Sequence, residues 1–260
     1  MLLMMYDSQS GGAGGQEDRE TNADGERVGS RALSVFTRVL NARILRAHVA
    51  GPLSSKQLEQ ELGWAPKASL RVATVGLCEV GALLRSEPHG ARQGTVTELT
   101  PAGADLLALA DVLERWLANS PFGPIPLPDT AARGAVRALA AGWDAAIVGA
   151  VAERPRTLAE LSAEISGHSY PGLKRRLAKL RAANLVTLVP DGKRSPMHAA
   201  TQWLRCAVGP LSVAGRWELQ HARASARPMT RREIEAKFLL ALPLVELPED
   251  TSGSCVLAAL

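Results

Sequence analysis

Apolar residues in the stretch ARILRAHVAG (42–51) recur at three and four spacings, the period of an amphipathic helix, and Gly51 with Pro52 ends it. Ser54 or Ser55 stands where a cap is needed for a short second helix, KQLEQEL, whose Leu58 and Leu62 share one face. Gly63 to Pro66 supply a turn. A third helix is predicted from about Lys67, with Leu70, Thr74 and Leu77 on one side and Val80 and Gly81 closing it. Leu83–Arg85 and Thr95–Leu99, separated by a Gly-containing loop, predict a β-hairpin, and a further helix finishes at Trp116.

The same pattern returns later in the chain. Trp143 to Ala152, Thr157 (as cap) to Ile165 and Tyr170 to Ala183 predict three helices. A hairpin follows over Leu185 to Ala200, with turn chemistry at Pro190, Asp191 and Gly192, and a last helix finishes at Trp217. A gapless shift of 103 pairs Pro52 with Pro155, Leu58 with Leu161, Glu61 with Glu164, Leu70 with Leu173 and Leu77 with Leu180. Past the hairpin the shift is 101, pairing Thr100 with Thr201 and Arg115–Trp116 with Arg216–Trp217. Two residues are thus lost where a hairpin loop tolerates a change of length. An internal repeat of helix, helix, turn, helix, hairpin and helix is the organising feature.

Composition divides the chain further. Residues 1–29 are acidic and Gly-rich without periodicity, the pattern of a disordered head, and their GGAGG follows no predicted strand. Four prolines between Pro121 and Pro128 exclude a helix interior there. The expected division is a head at 1–29, a first domain at 30–120, a Pro-rich linker at 121–130, a second domain at 131–226 and a C-terminal extension of unassigned role at 227–260. Only 4% of the residues are aromatic, and Leu, Ala and Val dominate the apolar content, which favours helix packing.

Net charge is +4, but the first 30 residues carry six acids against two bases, so the body is +8. Within the body, Asn41–Trp116 holds eight Lys and Arg against eight Asp and Glu, whereas Trp143–Trp217 holds eleven against five. A basic second half points to an anionic partner such as nucleic acid. No run of about 18 uncharged apolar residues predicts a membrane span, and MLLMM is too short for a secretory leader. Cys78, Cys206 and Cys255 stand far apart, so neither a zinc site nor a disulfide framework is expected, and a reducing cytoplasm is the expected location. The five histidines show no HxxxH or HExxH spacing, and no Gly-rich strand-to-helix turn is present, so neither a cofactor nor enzymatic activity is expected.

On these segments, both halves resemble the HxlR-type branch of bacterial winged helix-turn-helix transcriptional regulators. The resemblance rests on RALSVFTRVLNARILRAHVAGPL, TELTPAGADLLALADVLERW, WDAAIVGAVAERPRTLAELSAEI and SYPGLKRRLAKLRAANLV, and it covers residues 31 to 221. The fold class it implies is mainly α with small β-hairpin wings, two tandem winged helix-turn-helix domains forming a pseudo-dimer. In that family the third helix enters the DNA major groove, the wing touches the backbone or minor groove, and terminal helices hold a homodimer. Double-stranded DNA is then the partner and transcriptional repression the function. A further homodimer and a small-molecule effector stay open. Many members sense oxidants through a cysteine near the first helix, and this chain has none before Cys78.

A helix anchored by Leu173, Leu177 and Leu180 turns residues about 100° and 200° away toward solvent. That makes Lys174, Arg175, Arg176 and Lys179 candidate DNA contacts, with Ser169 and Tyr170 at the helix start. Lys193 and Arg194 lie at the second wing tip, Arg92 lies in the corresponding loop of the first half, and Lys67 and Arg71 are candidates on the third helix of that half. The positions of Arg175 and Lys179 correspond to Val72 and Gly76, so the second helix is expected to dominate DNA affinity. Trp116 and Trp217 are expected as packing anchors, and Cys78 as a half-buried structural thiol. The alternative reading is a tandem winged-helix protein-interaction module that has lost DNA binding.

Overall fold

Short polar caps and apolar stripes set the elements of the computed structural model, which describes residues 30–86, 95–165, 167, 169–190 and 195–221. The first half runs α1 (Arg31–Val35), α2 (Val39–Ala47), a 3-10 turn (His48–Ala50), β1 (Leu53–Ser54), α3 (Ser55–Glu61), α4 (Lys67–Glu79), β2 (Leu83–Ser86), β3 (Val96–Leu99) and α5 (Pro101–Ala118). The second runs α6 (Thr130–Ala140), α7 (Gly142–Glu153), β4 (Arg156–Thr157), α8 (Leu158–Glu164), α9 (Tyr170–Ala182), β5 (Val186–Val189), β6 (Met197–Ala200), α10 (Gln202–Arg205) and α11 (Val208–His221). The fold is therefore mainly helical with two small antiparallel sheets, ordered β1-β3-β2 and β4-β6-β5. No single helix among the described residues is long and apolar enough to cross a membrane.

Equivalent residues make equivalent bonds in the two halves. Ser54, rather than Ser55, caps α3: its hydroxyl accepts from the Gln57 backbone while the Gln57 side chain accepts from the Ser54 N–H. Thr157 and Glu160 repeat that capping box at α8, satisfying orphan amides at both ends of the motif. Thr100 Oγ1 donates to the carbonyls of Gly81 and Ala82, and Thr201 Oγ1 donates to those of Asn184 and Leu185. Each pair pins the start of the closing helix to the turn before the hairpin. That turn needs a left-handed residue, supplied by Gly81 at φ 82° and by Asn184 at φ 52°.

The halves join through elements that are each other's counterparts. Helix α1 packs on α6, and α5 packs on α11. Trp116 Nε1 donates to the Trp203 carbonyl at 2.9 Å, and Trp217 Nε1 donates to the Ala102 carbonyl at 2.8 Å. The 101-residue shift maps one of these bonds onto the other, the reciprocity that a two-fold relation requires. Trp203 adds a parallel stack on Trp116, with ring centroids 4.7 Å apart, and donates back to the Trp116 carbonyl at 3.1 Å. Glu218 of α11 is fully buried beneath α1, where its Oε1 accepts from Ser30 Oγ and the Ala32 N–H and its Oε2 lies 3.7 Å from Arg31 Nε. Buried Leu106, Leu109 and Leu113 of α5 belong to one core with Ala132 and Val136 of α6 and Leu161 and Leu177 of the second half.

Several features depart from the sequence reading. Helices α1 and α6 and the two-residue strands β1 and β4 extend the expected units, so each hairpin belongs to a three-stranded sheet. The closing helices run past Trp116 and Trp217, to Ala118 and His221. In the second half that helix is broken into α10 and α11, because Pro210 has no N–H to donate to the Cys206 carbonyl and its ring crowds it. Cys78 is free. The head at 1–29, the hairpin loops with Arg92, Lys193 and Arg194, and residues 222–260 lie outside the described residues.

Candidate nucleic-acid interface

Ser169 starts α9 by capping it: its Oγ accepts from the Gly172 N–H at 3.3 Å, and Pro171 sits in the first turn, where a missing N–H costs nothing. Leu173, Leu177 and Leu180 are buried and fix the helix's rotation. Arg175 and Lys179 then project from the side opposite the core, and both are exposed. Lys174 and Arg181 are exposed on one flank and, with Tyr170 and Leu177, line a cleft of about 910 Å³ between α9, the start of α8 and the β5–β6 hairpin. None of Lys174, Arg175, Lys179 and Arg181 makes an ion pair among the described residues.

Arg176 is different. It is half-buried on the other flank, with Nη1 3.0 Å from Asp144 Oδ1, so it ties α9 to α7 rather than joining the exposed cations. Arg154 is paired with Glu160 at 3.0 Å, and buried Arg156 is held by Glu153 at 2.6 Å and Glu164 at 3.2 Å. Backbone donation from Thr157, aided by Arg154 and the Thr157 hydroxyl, holds the Glu160 carboxyl down to about 2. Arg154, Arg156 and Arg176 are thus committed to internal ion pairs, whereas the four cations of α9 are exposed and unpaired among the described residues.

His198 of β6 also borders the cleft. It is buried, its Nδ1 has no hydrogen-bond partner among the described residues, and burial together with the Arg181 charge lowers its pKa below the ordinary imidazole value. In the first half Thr97 holds the equivalent place, bonded to buried His48 Nε2 at 2.8 Å. Arg181 and His198 were not among the residues singled out from the sequence. Arg181 carried a readable signal, because positions 170, 174, 177 and 181 follow a helical three-four spacing; His198 carried none.

The counterpart helix α4 presents another surface. Leu70, Ala73 and Leu77 are buried, and Val72 and Val75 are 63% and 42% exposed. Lys67 is exposed but paired with Glu59 at 2.8 Å, and Arg71 borders a smaller cleft of about 560 Å³ with Cys78. Burial pushes the Cys78 thiol above its ordinary pKa, the opposite of what a reactive thiolate needs. Among the described residues no group of three or more His, Cys, Asp or Glu is arranged to hold a metal ion. Comparison of the chain with protein-family models, with curated proteins and with solved structures finds no match.

Proposed function

We propose that this protein is a DNA-binding transcriptional regulator in which two winged helix-turn-helix units in one chain act as a pseudo-dimer. The supporting observation is the set of four exposed, unpaired cations on α9, a helix that follows a capped short helix and precedes a hairpin in both halves. In this reading α9 enters the major groove, with Arg175 and Lys179 foremost, Lys174 and Arg181 meet the phosphates, and the hairpin lies along the backbone. Helix α4, with Val72 and Val75 outward, contributes little, so the second unit dominates. Repression by promoter occupancy and a cytoplasmic location belong to the same proposal, as does the likeness to HxlR-type regulators.

Selection of genomic DNA fragments by the purified protein tests this reading. Enrichment of a defined motif is expected, and enrichment of nothing even at low salt refutes it. A second reading, a protein-interaction module, is favoured by the exposed valines of α4. It expects no enriched motif and a partner lost when Val72 and Val75 become serine.

A further inference from the structure

Five of the six acids in the first 30 residues, Glu17, Asp18, Glu20, Asp24 and Glu26, fall within residues 17–26, where Arg19 is the single base. The chain leaves this acidic head at Ser30, whose place in the fold is fixed. Its N–H donates to the Ala140 carbonyl at the end of α6, and its hydroxyl donates to buried Glu218 at 3.1 Å. Helix α7 begins at Gly142, and Asp144 in its first turn reaches Arg176 of α9 at 3.0 Å. The head therefore joins the fold on the second half, beside the flank of α9 that packs on α7.

Round α9 from Arg176, Lys179 follows about 60° away and Arg175 about 100° away, with Lys174 and Arg181 on the far flank. All four are exposed, and no described carboxylate pairs with them: Asp144 is committed to Arg176 and Glu160 to Arg154. Asp24 stands six residues before Ser30 and Glu17 thirteen, an extended reach of about 20–45 Å. That spans a turn of α7 and the diameter of a helix, about 10–12 Å. Tethering at this length gives the head an effective concentration on the order of millimolar at α9.

We propose that residues 17–26 lie across the exposed cations of α9 in the same chain, Arg175 and Lys179 first, and compete there with the anionic partner of that face. Five acids and one base in the head meet four unpaired cations on the helix, so the charges match in number as well as in sign. Ion pairs between exposed side chains are weak and screened by salt. A polyanion of higher charge density, such as duplex DNA, therefore displaces the head, whereas weaker anions do not. That the displacing partner is DNA rests on the function proposed above; the contact between head and α9 does not.

Zero-length carbodiimide coupling of the full wild-type chain, read by peptide mass spectrometry, tests the contact, because it joins a carboxylate only to a lysine amine that it touches. Links from the acids of 17–26 to Lys174 and Lys179 are expected in severalfold excess over links to Lys56 and Lys67, which are exposed in the first half. They should fall severalfold at about 1 M salt, where the screening length is about 3 Å. Equal linking to all four lysines, or α9 links that run between isotopically distinct chains when two are mixed, would overturn the proposal. Competition is read from the affinity for a duplex of about 20 base pairs at about 50 mM salt. A head that occupies α9 about nine-tenths of the time lowers apparent affinity about tenfold. Glu17→Gln/Asp18→Asn/Glu20→Gln/Asp24→Asn/Glu26→Gln should therefore bind about tenfold more tightly, and adding Arg175→Ala/Lys179→Ala should erase that gain. Equal duplex affinity of wild type and the neutral-head variant would overturn the competition. Absence of duplex binding in both, with the links to α9 intact, would refute DNA as the partner and uphold the contact.

Discussion

Replacing Trp203 with alanine removes an indole that is 6% exposed, stacked at 4.7 Å on Trp116 and hydrogen-bonded to its carbonyl. Buried Trp-to-Ala changes cost about 3–5 kcal/mol, because transfer energy is lost and a cavity is left that the surroundings fill only in part. The ring pair accounts for about 0.5–1.5 kcal/mol of that. With a urea m-value of about 2–3 kcal/mol/M, the midpoint should fall by about 1–2.5 M in unfolding followed by far-UV circular dichroism. Trp64→Ala is the internal control: that ring is 56% exposed, and its contact with Arg43 contributes about 0.5–1 kcal/mol, so its midpoint should move by less than about 0.5 M. Equal shifts for the two variants would mean that the Trp116–Trp203 stack does not hold the halves together.

Glu218→Gln keeps the acceptor for Ser30 and Ala32 but removes the charge facing Arg31, so thermal unfolding should report a loss of about 1–3 kcal/mol; an unchanged midpoint would remove Glu218 from the interface account. His198, whose pKa is lowered in the folded protein, takes up its proton more readily when unfolded. Its stabilising contribution is therefore complete above about pH 6.5 and is lost as the pH falls through the lower folded value. The urea midpoint should fall between about pH 7.5 and 5.5, and His198→Thr, the residue of the first half, should reduce that fall, which equal slopes would contradict. The Glu160 carboxyl should titrate near 2 by carbon NMR, so its cap persists above the ordinary carboxylate range and is lost as the pH falls through that value. Arg154→Gln should raise the midpoint only in part, since the Thr157 N–H remains; a wild-type midpoint in the ordinary range would refute the capping geometry.

The mainly helical class with small antiparallel sheets was legible because caps, turns and three-four spacing agree in both copies. Leu70 and Leu77, with their counterparts Leu173 and Leu180, sit on the buried faces that periodicity assigned them. The choice between Ser54 and Ser55 needed one more step, since only Ser54 has a Gln three positions on to complete the box. Strands β1 and β4 were invisible, because two residues show no alternation and pair only once β3 and β6 are in place. The break at Pro210 was readable from proline's missing donor. The inward turn of Arg176 was not, because it depends on Asp144, 32 positions earlier and brought near only by the packing of α7 on α9.

DNA binding through α9 is tested most directly by the salt dependence of affinity for the enriched fragment, measured for wild type and for Arg175→Ala/Lys179→Ala. Each phosphate contact contributes about 0.9 to the slope of log affinity against log salt. The double variant should flatten the slope by about one to two units and weaken binding, whereas Val72→Ala should leave both unchanged. An unaltered slope and affinity in the α9 variant, with Arg71 proving essential instead, would contradict the assignment of the reading head to the second half.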